Sequence, residues 1–338
     1  MKTFLTVILA LAVICVFGAE NAKKKKAKRP SPFKTVEYTS KHDNTQQKAL
    51  VWFSKSAEKR PLVVALHTWS FDYKGGAPYA APAIKCDFHV IAPDFRGRNN
   101  AKNFDSMGSD AAVSDIVSAV EWMKENAKVD EERIYLVGGS GGGHMGLLMA
   151  GRHPEIWAAV SVWCPISDIK RWCGFHKGKG YAKNIIDNLK GNPCTDEAAA
   201  KEAVKRSPVT WLANAKNVNI DIGTGINDGH TGSVPIDHAL NAYNILADDA
   251  DKVPQEHIEH MLKNRTAPEG TPVVSDAGYG KRKIHYRKTS GNCRVTIFEG
   301  AHDILTSYSY SWLKHQKKGQ PAVWKSAKGS GKAIQLSK

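Results

Sequence analysis

Uninterrupted apolar runs alternate along this chain with stretches in which apolar residues recur every three or four positions. Residues 62–66 are apolar throughout and 88–92 are broken only by His89, the pattern of strands covered on both faces. Residues 133–137, 157–162, 218–222 and 294–298 repeat it less purely, and 35–38 and 49–53 read as short opening strands. Between them, Ala112, Ile116, Ala119, Val120 and Met123 carry the spacing of a buried helical stripe. Ser109 or Asp110 can cap that helix, which ends near Lys128. Residues 142–151 and the segment around 305–313 predict two more helices. Strands alternating with helices give a mainly parallel central sheet with helices on both faces. Residues 165–206 and 248–291 break the rhythm and read as a small cap or loop insertion beside a site and a second excursion, the latter holding a short helix over 254–263.

Composition sets the scale of this α/β domain. The chain has 338 residues, 42% hydrophobic and 24% charged, ample for a sizeable core. Its net charge of +15 suggests a nucleic-acid partner until the charges are located. Thirteen of the fifteen lie in two terminal runs, Lys23–Lys26 with Lys28 and Arg29, and the seven lysines from Lys314 onward. Residues 30–313 carry only +2. The tails are expected to be solvated arms able to touch an anionic polymer, glycan or lipid. No aromatic residue interleaves the first run, which argues against specific nucleic-acid binding.

Residues 1–18 read as a secretory signal: Lys2, an apolar stretch over 4–17 broken only by Thr6, then Val16 and Gly18 at the cleavage positions. That stretch falls short of the roughly 20 residues of a membrane span. The expectation is a secreted or periplasmic protein with no membrane span in the mature chain. It divides into a signal (1–18), a lysine-rich linker (19–32), a catalytic domain (33–317) and a basic tail (318–338). Five of six cysteines remain after cleavage. Cys173 and Cys194 share one insertion, where a bridge would contribute about 3 kcal/mol. No cysteine or histidine cluster has metal-ligand spacing, and no cofactor is expected.

The chemistry centres on Gly138-Gly139-Ser140-Gly141-Gly142, between the strand ending at Val137 and the following helix. A serine on a sharp strand-to-helix turn is held with its hydroxyl exposed at the sheet edge. The helix start behind it presents N–H groups to an anion. A hydroxyl is a poor nucleophile unless a base takes its proton and a carboxylate orients the base. His302, in Gly300-Ala301-His302 after the last strand, is the candidate base. Asp228, in the loop leaving the strand 218–222, is the candidate acid; its rival Asp221 lies inside that strand. The N–H of Gly141 supplies one oxyanion donor, and Thr68 or Trp69 the other. His67, His144 and His230 read as structural.

With Asp94-Phe95-Arg96-Gly97, Gly139-Ser140-Gly141-Gly142-Gly143, Asp228 before Val234-Pro235, and Gly300-Ala301-His302, the chain resembles the catalytic domain of prolyl oligopeptidase-like serine hydrolases over roughly residues 50–315. The resemblance implies an α/β-hydrolase fold and a triad of Ser140, Asp228 and His302. Peptidases of that group usually carry a large β-propeller, for which 338 residues leave no room, so the expectation shifts toward its single-domain esterases. Trp163, Trp172, Phe175 and Tyr181, with Trp69, are candidates to stack on a sugar ring. The expected activity is hydrolysis of a carbohydrate acetyl or feruloyl ester. The alternatives are cleavage of short peptides and, from another class, non-catalytic binding of anionic polymers by the lysine-rich tails.

Overall fold

A computed structural model describes residues 31–324. The signal, its cleavage site and most of both basic runs lie outside the described residues. Strand β1 (Lys34–Thr39) and strand β2 (Gln46–Trp52) form an antiparallel hairpin. Then follow β3 (Arg60–Leu66), α1 (Ala77–Lys85), β4 (His89–Pro93), α2 (Asp110–Asn126), β5 (Val129–Gly139), α3 (Gly141–Arg152) and β6 (Ala159–Trp163). Three short helices come next: α4 (Ile169–Phe175), α5 (Gly180–Leu189) and α6 (Glu197–Lys205). The chain closes with β7 (Asn219–Gly225), α7 (Asp237–Leu246), α8 (Gln255–Asn264), β8 (Ile284–Ser290), β9 (Cys293–Phe298) and α9 (Thr306–Leu313).

The strands form one sheet in the order β1-β2-β4-β3-β5-β6-β7-β9-β8. The central pairs from β4 to β9 are parallel; β1, β2 and β8 add antiparallel edges. The apolar runs are continuous because both faces are covered. Leu62, Val64 and Leu66 pack with α2, α3 and α7, whereas Val63 and Ala65 face the layer of α1 and α9. Ser109 caps α2 by accepting from the Ala112 N–H at 3.1 Å. No helix among the described residues is long and apolar enough to cross a membrane.

Three features add to the sequence reading. The excursion 248–291 contains β8, an edge strand hairpinned to β9, besides the expected helix. The fold does not stop at 317: the Lys318 N–H donates to the Glu132 carbonyl at 3.0 Å, and Trp324 stacks on Trp312 at 5.5 Å. The five described cysteines are free thiols. Cys173 and Cys194 are neighbours, as their shared insertion suggested, but no bridge joins them; Cys194 Sγ donates to the Lys170 carbonyl at 3.7 Å.

Candidate active site

Ser140 is placed by strain that its surroundings hold. Its φ of 56° and ψ of −119° lie outside the relaxed regions for a side-chain-bearing residue, a conformation costing about 1–3 kcal/mol. The Ser140 N–H donates to the Trp163 carbonyl at 2.8 Å, tying the turn to β6. Close packing on the other side explains Gly142: a Cβ there would stand 2.5 Å from the Leu66 carbonyl oxygen of β3. The serine is 6% exposed, and its hydroxyl neither caps α3 nor hydrogen-bonds to His302.

Asp228 sits in the loop that leaves β7, two strands along the sheet from β5. Its Oδ1 accepts from the backbone N–H groups of Gly229 at 3.0 Å and Val234 at 3.1 Å. Its Oδ2 lies 2.7 Å from His302 Nδ1. An ionised carboxylate only accepts, so the imidazole carries its proton on Nδ1 and leaves Nε2 as the basic nitrogen. His302 follows β9, in the loop that leads to α9. The rival acid is removed by its partner: Asp221 Oδ1 and Oδ2 accept from Arg294 Nε and Nη2 at 2.9 and 3.0 Å, deep in the sheet.

The choice between Thr68 and Trp69 is geometric. A Cβ on Gly141 would lie 2.5 Å from Trp69 N and 2.7 Å from Trp69 Cα, so these two backbones are in contact. The Gly141 N–H is among the first of α3, which have no acceptor within their own helix. The Trp69 N–H has no acceptor among the described residues. His67 braces this loop: its ring stacks on Phe95 at 3.8 Å, and its nitrogens face the carbonyls of Thr68 and Asp94 at 2.9 and 2.8 Å. Burial lowers its pKa. His144 is likewise structural, held by the Arg206 carbonyl at 2.7 Å and pulled down to about 4 by burial. His230 turns away to the Leu262 carbonyl.

The aromatic candidates divide. Trp163 is buried in the sheet layer against Phe298 and Tyr308, its indole N–H donating to Ser309 Oγ at 2.8 Å, so it packs core and cannot stack on a ligand. Trp172 is buried under the insertion, its ring 4.7 Å from that of Trp69 and its N–H on the Ser233 carbonyl. It supports the loop after β3 rather than facing solvent. Phe175, 41% exposed, and the half-buried Tyr181 remain available. Tyr181 joins the loop directly, 6.5 Å from the ring of Trp69, and Phe175 continues the row through His176. Phe71, two residues past Trp69 and 42% exposed, was missed; its place in the loop after β3 was the available signal.

This architecture has known counterparts. Over 172 residues the chain is 24% identical to the acylamino-acid-releasing enzyme of Rattus norvegicus, an alignment covering 46% of this chain and 22% of that enzyme. Over 174 residues it is 28% identical to feruloyl esterase B of Talaromyces funiculosus, covering 48% and 45%. This chain thus spans about a fifth of the first relative and under half of the second. Among solved structures, an acylaminoacyl peptidase of Pyrococcus horikoshii matches the fold with a TM-score of 0.50 at 17% identity, over 63% of this chain and 34% of that one. The family model of the prolyl oligopeptidase family matches residues 80–261, a span that holds both Ser140 and Asp228. With more than half its length in that match, the chain belongs to the prolyl oligopeptidase family.

Proposed function

We propose that the chain is a serine hydrolase that cleaves carboxylic esters, with acetyl or feruloyl groups on carbohydrate as its substrates. The observation that carries the reading is the Asp228–His302 hydrogen bond of 2.7 Å, set at the same sheet edge as a serine held at positive φ. In this reading Ser140 Oγ attacks the ester carbonyl carbon while His302 Nε2 takes the hydroxyl proton. Asp228 holds the ring in the required tautomer and stabilises the imidazolium. The tetrahedral oxyanion lies between the N–H groups of Gly141 and Trp69. Collapse expels the alcohol, which receives the proton from His302. Water, deprotonated in turn by His302, then releases the acid from Ser140 and restores the hydroxyl.

Phe175 and Tyr181 beside the oxyanion loop, and the exposed Phe71 within it, support the carbohydrate reading, because flat aromatic faces suit sugar rings and hydroxycinnamoyl groups. Similarity to a feruloyl esterase points the same way. Similarity to acylamino-acid-releasing enzymes favours a second reading, cleavage of blocked short peptides. The test is a side-by-side assay on acetylated xylan, a feruloylated sugar and peptidyl p-nitroanilides. The ester reading expects kcat/KM to be higher on the esters; anilide turnover exceeding both esters overturns it in favour of the peptidase.

The oxyanion assignment makes its own prediction. Gly141→Ala would drive a methyl group against the Trp69 backbone, which has no flexible end to give way. The expected result is a fall in kcat of about 10²-fold on p-nitrophenyl acetate, the range for losing one donor, with KM changed only a few-fold. Steady-state kinetics on the folded variant check it, and an unchanged kcat removes Trp69 from the role.

A further inference from the structure

We propose that Cys164, Asp228 and His302 form a binding site for a thiophilic divalent cation such as zinc or cadmium, and that the bound cation switches off the hydrolysis proposed above. The switching rests on that hydrolase reading; the cation site itself rests on geometry alone. One ligand atom from each of the three residues falls within 4.8 Å of the other two. Cys164 is the residue the proposed triad does not use. It follows β6 with φ of 47°, fixed by its N–H donating to the Gly223 carbonyl at 2.7 Å. Its thiol reaches the carbonyls of Ala301 at 3.9 Å and Asp303 at 3.5 Å, the neighbours of His302 on either side. The sulfur therefore lies directly under the histidine loop.

Ligand type and spacing select the cation. Zinc takes sulfur at about 2.3 Å and nitrogen or carboxylate oxygen at about 2.0–2.2 Å, so tetrahedral ligand atoms stand about 3.5 Å apart. Closing from 4.8 Å needs shifts of the order of an ångström, within reach of side-chain rotation. A thiolate, an imidazole and a carboxylate suit zinc or cadmium, whereas magnesium and calcium demand oxygen donors. The His302 side chain is 17% exposed while Asp228 is enclosed, so a cation enters on the imidazole side and water completes the fourth position. Burial and the Asp228 charge keep the free thiol protonated. Entry thus exchanges one thiol proton, released to solvent, for one sulfur–metal bond, while the His302 proton moves from Nδ1 to Nε2 and frees Nδ1 as the ligand atom. A His302 engaged by the cation cannot accept the Ser140 proton.

The test uses the full chain, with p-nitrophenyl acetate turnover followed against buffered free zinc and cobalt binding followed by absorption. The expected result is inhibition by one equivalent of zinc, reversed by EDTA. Cys164→Ala and Cys164→Ser should keep basal turnover and need at least about ten-fold more zinc for the same inhibition. Cobalt should give a near-ultraviolet thiolate charge-transfer band in the wild type and in Ser140→Ala. The band should be absent from both Cys164 variants and present in a Cys173→Ala/Cys194→Ala double variant. Zinc sensitivity equal in wild type and Cys164 variants, or no Cys164-dependent cobalt band, overturns the proposal. Because Ser140→Ala reports the band without turnover, loss of the cation site and loss of the hydrolase reading are separable.

Discussion

Ser140→Ala is expected to lower turnover of p-nitrophenyl acetate by about 10⁴-fold or more, with the unfolding midpoint nearly unchanged. Members of a triad act as a unit, so removing the nucleophile removes the acyl-enzyme route and leaves only what the oxyanion donors and binding contribute. Stability should hold because the hydroxyl neither caps α3 nor bridges to His302. Alanine at the positive φ of 56° meets the same backbone strain as serine. Steady-state kinetics together with a urea melt check the two halves separately. A variant that loses the fold with the activity would assign Ser140 to the turn rather than to the chemistry.

Asp221→Ala is expected to destabilise the fold by about 3–5 kcal/mol, because it leaves a buried guanidinium without its counter-charge. Asp221 and Arg294 pair across neighbouring strands β7 and β9 through two hydrogen bonds, and Arg294 also reaches the Tyr308 hydroxyl. Urea denaturation of the variant measures the loss. Replacing both partners with apolar residues should recover much of it, since the cost lies in the unpaired charge rather than in the missing attraction. A loss under about 1 kcal/mol would mean that water reaches Arg294. The same pair explains why Asp221, an acid on the right strand, is not available to His302.

These residues also mark what the sequence could and could not show. Local order carried the strand-turn-helix around Ser140 and the chain positions of Asp228 and His302, because each sits where an apolar run ends. The partner of Asp221 is 73 positions away, beyond any local pattern. Trp163 and Trp172 carry the same side chain as a stacking platform and a core filler; only burial separates those uses, and burial is a property of the packed layers. Strand β8 hid because its polar positions, Arg287 to Thr289, break the apolar run expected of a covered strand. Trp69 is separated from Thr68 by the Gly141 backbone packed against it, a contact between distant loops. Cys164 sits beside His302 through contacts 137 and 139 residues apart, so its proximity to Asp228 had no sequence signal.

A fluorophosphonate probe tests directly whether Ser140 is the activated nucleophile. The wild-type chain should take up one phosphonyl group, mass spectrometry should place it on Ser140, and His302→Ala should slow labelling by orders of magnitude. Labelling of a different residue with Ser140 unmodified, in protein that still hydrolyses esters, would contradict it.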